Sequence, residues 1–282
     1  MGDVRDRDTL VAHFAGADVV YNLAAVHRDD VREVDMYHDV NVNGAVALAG
    51  ACADSGVREL IFTSSVAVYG PSSKAVSEDS PTNPESPYGI SKLAAEGVYR
   101  DWQQGDAGRH LVVVRPTVVF GEGNRGNVYN LARQISGRRF LMVGGGQNRK
   151  SMAYVQNVAD LLSRILPYDK RAFELLNYVD KPDLSMNELV DLIYRALNMP
   201  RPRMRLPYFA GLAAGLLGNI TSRLTGRQLP INVNRIRKFC ASSVFEANHP
   251  WVAGRGTTPL VQAIESTVQR EFEQRAAHDT VP

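Results

Sequence analysis

The sequence predicts an α/β fold built on a parallel sheet covered by helices on both faces. Short apolar runs at 17–25, 59–65, 111–120 and 173–179 alternate with longer stretches of helical spacing. Each run is apolar along its length rather than alternating, the pattern of strands buried on both sides. The first two runs also end in small or hydroxyl residues, Asn22-Leu23-Ala24-Ala25 and Thr63-Ser64-Ser65.

Composition bounds the reading. With 282 residues the chain is long enough for a full core, and 44% apolar with 22% charged residues is ordinary for a globular protein. A net charge of +2 points to neither nucleic acid nor an anionic surface as the main partner. Cys52 and Cys240 lack metal-ligand spacing, so no disulfide framework and no metal site are expected. Residues 2–8, dominated by Asp and Arg, give no signal-peptide pattern.

In chain order, a helical segment runs to Phe14, followed by the strand at 17–25. A helix at 33–55 carries Asn41 and Asn43 and is closed by Gly56. After the strand at 59–65 comes a Pro/Ser-rich loop to Pro87, then a helix with Ile90, Leu93, Ala94 and Val98 at helical spacing. The strand at 111–120 is read as continuous. Beyond Gly121 a helix opens near Asn130, and Gly144-Gly145-Gly146 reads as a turn, since it does not join a sheet strand to a helix. A strand at 173–179, an amphipathic helix at 186–197 and a closing helix at 260–272 complete the pattern. Residues 200–240 are basic and proline-punctuated, holding Arg223, Arg227, Arg235, Arg237 and Lys238. Within them, the longest apolar stretch, 206–218, is too short to span a bilayer and reads as a buried helix rather than a membrane contact. Two domains are expected: 1–121 with returning segments near 152–180, and 122–151 with 181–282.

The chemistry centres on Tyr88 and Lys92. On a helix opening at Pro87 they are i and i+4 and rise from one face. A phenol with a pKa of about 10 is a poor base at neutral pH, and an adjacent ammonium favours the phenolate. A strand-end hydroxyl at Thr63, Ser64 or Ser65 would hold a substrate oxygen within reach of it. Tyr-x-x-x-Lys alone is a weak signal. The Ser-rich strand end upstream and Val112-Val113-Val114-Arg115-Pro116 downstream make the combination specific.

Together these motifs resemble the extended short-chain dehydrogenase/reductase superfamily, in its sugar epimerase and dehydratase branch. The resemblance implies a Rossmann-like doubly wound parallel sheet with a smaller carboxy-terminal α/β substrate domain, and NAD as cofactor. It selects Ser65, with Tyr88 and Lys92, as the catalytic set, and assigns Lys92 a second role on the nicotinamide ribose. Asp3 and Val4 would lie near the adenine, Leu23, Ala24 and Ala25 along the cofactor, Asn41 bracing the fold beside it, and Pro116 past the nicotinamide. His27 reads equally as a cofactor contact or a solvated loop residue. Asn127, Lys150, Arg227 and Arg237 are the substrate-side candidates, the arginines as a phosphate-binding group or simply a solvated face.

Longer strings, among them 115–131, 150–155 and 177–189, are similar to bacterial epimerases that invert C4 of N-acetylglucosamine on an undecaprenyl diphosphate or UDP carrier. That resemblance implies polysaccharide or O-antigen biosynthesis in the cytoplasm at the inner face of the membrane, a homodimer, and a sugar-diphosphate substrate. Tyr88 would take the 4-hydroxyl proton while hydride leaves C4, and hydride would return to the other face. Lyase chemistry is disfavoured, because the positions after Ser65 where dehydratases carry an acid pair hold Val66 and Ala67. A 4-keto-sugar reductase remains open, as does a non-catalytic form. The superfamily's glycine-rich strand–turn–helix, about fifty residues or more than one βαβ unit, has no counterpart here, for no Gly-x-x-Gly-x-x-Gly occurs. The 282 residues alone are therefore expected to bind NAD weakly, with 19–23 as a sheet edge prone to pairing.

Overall fold

Helix α1 (Arg7–Phe14) is capped by Asp6, whose carboxylate accepts from the Thr9 amide. It leads to strand β1 (Val19–Asn22) in a computed structural model that describes residues 2–27, 33–165, 171–225, 232–252 and 258–278. Helix α2 (Asp35–His38), a π turn (Asp39–Asn43) and α3 (Gly44–Asp54) then form one unbroken helix. Its π turn carries the buried Asn41, and Gly56, in the left-handed conformation, follows its end. Strand β2 (Glu59–Thr63) runs into a 3₁₀ turn (Val66–Tyr69), and α4 (Pro87–Gln104) starts with Ser86 as its cap and Pro87 in its first turn. There follow β3 (His110–Pro116), β4 (Val118–Phe120), α5 (Asn127–Ser136), β5 (Met142–Val143), β6 (Arg149–Tyr154) and α6 (Val155–Arg164). The chain continues through β7 (Phe173–Tyr178), β8 (Asp180–Ser185), α7 (Met186–Ala196), β9 (Arg205–Leu206), α8 (Tyr208–Thr225), α9 (Val233–Cys240) and α10 (Leu260–His278).

The chain divides into two compact units. The first comprises Met1–Thr117, Val158–Val179 and Phe245–Arg255. Its sheet is parallel throughout, in the order β1-β2-β3-β7, with β1 at one edge. Leu60, Phe62, Leu111 and Val113 of the sheet pack with Leu48 and Cys52 of α3 and Ala95 and Tyr99 of α4. Residues 245–252, grouped with the carboxy-terminal part on sequence, fall in this unit: Phe245 bridges Val76, and the Glu246 amide donates to the Val76 carbonyl at 2.8 Å.

The second unit comprises Val118–Asn157, Asp180–Val244 and Gly256–Pro282. Its three-stranded sheet has the order β4-β6-β8, parallel between β4 and β6 and antiparallel between β6 and β8. Helix α7 opens with a capping box between Ser185 and Glu188, and its Leu189, Val190 and Ile193 meet Ile264 and Val268 of α10 in the core.

Two further expectations are corrected. The apolar run at 111–120 is two strands in two sheets. Pro116 has no N–H to extend a ladder, the Thr117 amide makes the last bond to Tyr178 at 3.0 Å, and β4 then pairs with β6. The stretch 206–218 is not a buried helix: among the described side chains of α8, Gly211, Gly215 and Gly218 are buried while Phe209, Leu216 and Leu217 are exposed.

One buried ion pair ties α4 to the sheet. Arg115, near the end of β3, donates from Nε to Glu96 Oε1 at 2.9 Å and from Nη2 to Oε2 at 2.5 Å, while Nη1 donates to the Tyr69 hydroxyl at 2.8 Å. Tyr69 donates in turn to Asn177 Oδ1 of β7 at 2.8 Å, and Ser64 Oγ donates to Glu96 Oε1. Removing one partner of such a pair strands a charge and typically costs about 3–5 kcal/mol, whereas replacing both by apolar groups does not. Arg115→Met should therefore unfold the first unit at markedly lower urea, and Arg115→Met/Glu96→Met should recover part of the loss. Both tryptophans, Trp102 and Trp251, lie in that unit and report the transition by fluorescence.

Candidate functional site

Three hydroxyls end β2, and the structure gives each a different task. Ser64 is buried and committed to Glu96. Thr63 Oγ1 is buried without a hydrogen-bond partner. Ser65 is half-buried and caps the 3₁₀ turn, its Oγ accepting from the Ala67 amide at 3.2 Å. Accepting that bond leaves the Ser65 O–H proton to donate outward. No carboxylate follows it: Val66 is buried and Ala67 half-buried.

Tyr88 sits in the first turn of α4, half-buried, its ring 6.4 Å from that of Tyr37. The next residue, Gly89, explains how this turn approaches Ser65. A Cβ on Gly89 would lie 2.5 Å from the Ala67 carbonyl oxygen, so only glycine lets the helix start rest on the 3₁₀ turn. The same turn is braced from α2–α3. Asn41 Nδ2 donates to Ser91 Oγ at 2.9 Å and to the Val26 carbonyl at 3.0 Å, and its Oδ1 accepts from the Val26 amide at 2.8 Å. Ser91 Oγ passes the link on, donating to the Tyr88 carbonyl at 2.8 Å.

Lys92, one turn on from Tyr88, is 2% exposed. Its ammonium lies 4.1 Å from the centre of the Phe62 ring and makes no hydrogen bond to a described residue. Burial pushes its pKa down to about 7, with the Glu96 carboxylate pulling the other way. Two buried hydroxyls without a hydrogen-bond partner, Thr63 and Thr117, stand at the carboxyl ends of β2 and β3 and fit a ligand rich in hydroxyl groups.

The end of β1 is shaped for close approach. Asn22 Nδ2 donates to the Tyr99 hydroxyl at 2.6 Å and its Oδ1 accepts from the Ala24 amide at 3.0 Å, which turns the chain out of the strand. Leu23 and Ala24 are left exposed and Ala25 half-buried, an open apolar ledge, with His27 exposed beyond it. Pro116 is buried at the end of β3. Val4 packs against Gly44, where a Cβ would lie 2.9 Å from Val4 Cγ2. Asp3 is exposed and engaged by Arg5, which also pairs with Asp39; that bonding holds its carboxyl at about 2.

The substrate-side candidates fall in the second unit. Asn127 is exposed at the start of α5. Lys150 Nζ donates to the Lys238 carbonyl at 2.9 Å, which brings it to the last turn of α9 beside the exposed Arg237. Arg227 and the Arg223 side chain lie outside the described residues. Sequence reasoning missed the Arg115–Glu96–Tyr69–Asn177 network. An arginine inside an otherwise apolar strand, and a glutamate four residues after Lys92, were the available signals.

The sequence profile of the NAD dependent epimerase/dehydratase family matches residues 1–177. The chain is 45% identical over 274 residues to N-acetyl-alpha-D-glucosaminyl-diphospho-ditrans,octacis-undecaprenol 4-epimerase of Escherichia coli O157:H7, covering 96% of this chain and 83% of that one. It is 32% identical to UDP-glucose 4-epimerase of Vibrio cholerae, over 74% of this chain and 66% of the relative. Among solved structures, UDP-glucuronic acid 4-epimerase from Bacillus cereus in complex with NAD superposes with a TM-score of 0.73 at 19% identity, over 98% of this chain and 79% of that one, a likeness of fold. The chain belongs to the NAD dependent epimerase/dehydratase family.

The lowered pKa of Lys92 has a direction in pH. Its folded value of about 7 lies below the ordinary lysine value of 10.5, so the folded state binds fewer protons between them and gains stability as pH rises through that window. Replacing Lys92 by Met removes the charge and its dependence. Lys92→Met should be more stable than the parent near pH 7, by a few kcal/mol, and the difference should shrink toward pH 10. Thermal melts of both proteins across that range check it.

Proposed function

We propose that this family member inverts C4 of an N-acetylhexosamine carried on a diphosphate, with NAD as cofactor. The observation that carries the proposal is the 45% identity over 96% of the chain to a 4-epimerase of a diphospho-undecaprenol sugar. That relative favours the polyprenyl carrier, whereas the relative acting on UDP-glucose, at 32%, favours a nucleotide. A sugar on undecaprenyl diphosphate is held at a membrane, so the proposed setting is the cytoplasmic face of one. Among the described residues no helix is long and apolar enough to cross it. A homodimer is part of the same reading, supported by the exposed Val46 of α3 and Ile90 of α4.

NAD, when bound, supplies the oxidant that takes and returns the C4 hydride. The chain's own residues do the rest. Tyr88 takes the proton of the 4-hydroxyl and later gives it back, an acid/base role matched to a phenol beside an ammonium. Lys92 provides that ammonium and, lacking a protein acceptor, is available to the ribose hydroxyls of the cofactor. Ser65, its proton directed outward by the Ala67 amide bond, donates to the sugar O4 and holds it for Tyr88. Leu23, Ala24, Ala25 and Pro116 offer apolar surface to the cofactor. Asn41 is a positioning residue, joined to Tyr88 through Ser91. Lys150 and Arg237 are the proposed cations for the diphosphate, Lys150 being tied to the last turn of α9 through the Lys238 carbonyl.

Losing a positioned acid/base typically costs about 10²–10⁴-fold in rate. In a form of the protein that also carries the superfamily's glycine-rich strand–turn–helix, Tyr88→Phe should lose C4 inversion by such a factor while NAD binding, read by fluorescence titration, is kept. Near-normal turnover would overturn the assignment. The carrier is decided by offering UDP-N-acetylglucosamine and undecaprenyl-diphosphate-linked N-acetylglucosamine side by side. Conversion of the lipid-linked sugar is expected, and conversion of the nucleotide sugar alone would refute that half of the proposal.

A further inference from the structure

Helix α8 is amphipathic the wrong way round for a helix of a water-soluble surface. Among its described side chains the buried positions are the glycines 211, 215 and 218, one side of the helix at i, i+4 and i+7. That side lies so close to its neighbours that a Cβ on Gly211 would stand 2.5 Å from Val143 Cγ1, and one on Gly215 2.9 Å from Ile236 Cδ1 of α9. The opposite side carries the large apolar residues. Phe209 is 75% exposed, Leu216 56% and Leu217 65%, and Met204, just before the helix, is 71% exposed. A folded chain normally turns such residues inward, and a contiguous exposed group of them marks a docking surface.

The charge of the segment that carries this face identifies its occupant. Residues 192–245 hold nine of the chain's 32 Lys and Arg and none of its 30 Asp and Glu. The rest, with 23 cations against 30 anions, is net negative. Arg203, Arg205, Arg237 and Lys238 are exposed beside or near the ends of α8 and α9. A second copy of this chain fits poorly. A two-fold contact would set the same patch against itself, bringing cations onto cations with no carboxylate from these residues to meet them. An anionic lipid surface supplies both halves of what the face lacks, acyl chains for Phe209, Leu216 and Leu217 and phosphates for the arginines.

We propose that the outer face of α8 docks the protein onto an anionic phospholipid bilayer, with Phe209, Leu216 and Leu217 entering the headgroup–acyl boundary. The assignment deepens the proposed function and rests on it only for the substrate's being held in a membrane.

The test is sedimentation of the purified protein with vesicles. It should co-sediment with phosphatidylglycerol/phosphatidylethanolamine vesicles and not with phosphatidylcholine/phosphatidylethanolamine ones, and raised salt should weaken the binding. Phe209→Ser/Leu216→Ser/Leu217→Ser, checked by circular dichroism to be folded, should bind at least about tenfold less. Arg203→Glu should weaken binding with the apolar residues intact. Failure of the parent protein to sediment, equal binding of the triple variant, or equal binding to the uncharged vesicles would each overturn the proposal. So would a concentration-dependent dimer that the triple substitution abolishes, which would give the face to a second copy. Vesicle binding needs no sugar, so its failure is distinct from a failure of C4 inversion.

Discussion

The arrangement around the candidate site depends on one buried bidentate pair, Arg115 with Glu96. Arg115 enters the interior near the end of β3, where its guanidinium cannot be deprotonated and must be satisfied. Its fork engages both oxygens of Glu96 and the Tyr69 hydroxyl, and through Tyr69 it reaches Asn177. Four segments are thereby fixed to one another: β3, α4, the 3₁₀ turn after Ser65, and β7. The two segments that must converge for the proposed acid/base chemistry are among the four. Gly89 then removes the last steric barrier between them, and Asn41, acting through Ser91, holds the first turn of α4 from the other side.

The same pair sets the electrostatics of Lys92. Glu96 lies one turn beyond Lys92 on α4, where it would ordinarily neutralise the ammonium. Here both of its oxygens are engaged by Arg115, and one also accepts from Ser64. Its pull on Lys92 therefore offsets only part of the cost of burial, and the lysine stays poised near neutrality. A cation in that state responds readily to whatever hydroxyl or charge is placed beside it. A lysine fully paired with a carboxylate would not.

Much of this was legible in the sequence. The strands at 59–65 and 173–179 showed as apolar runs, the helix start at Ser86-Pro87 as cap chemistry, and Gly56 as a left-handed terminus. Tyr88 and Lys92 were found because helical spacing alone makes them neighbours. What escaped detection depends on tertiary partners. The run at 111–120 has the same texture on both sides of Pro116, so its change of sheet at Thr117 is visible only when β7 and β6 are present as alternatives. The inverted face of α8 escaped because apolar content was read as burial, whereas close packing by Gly211 and Gly215 against Val143 and Ile236 had already claimed the other side. Arg115 and Glu96 are 19 residues apart, beyond the reach of any local pattern.

The central claim is that Tyr88 moves the proton of a 4-hydroxyl while the hydrogen on C4 is removed and restored as hydride within one site. It is tested most directly with an N-acetylglucosamine substrate deuterated at C4, turned over in ordinary water and read by mass spectrometry of the inverted product. Retention of deuterium at C4 is the predicted result. Replacement of the label by solvent hydrogen would mean that C4 is deprotonated and reprotonated instead, and would contradict the roles given to Tyr88, Lys92 and Ser65.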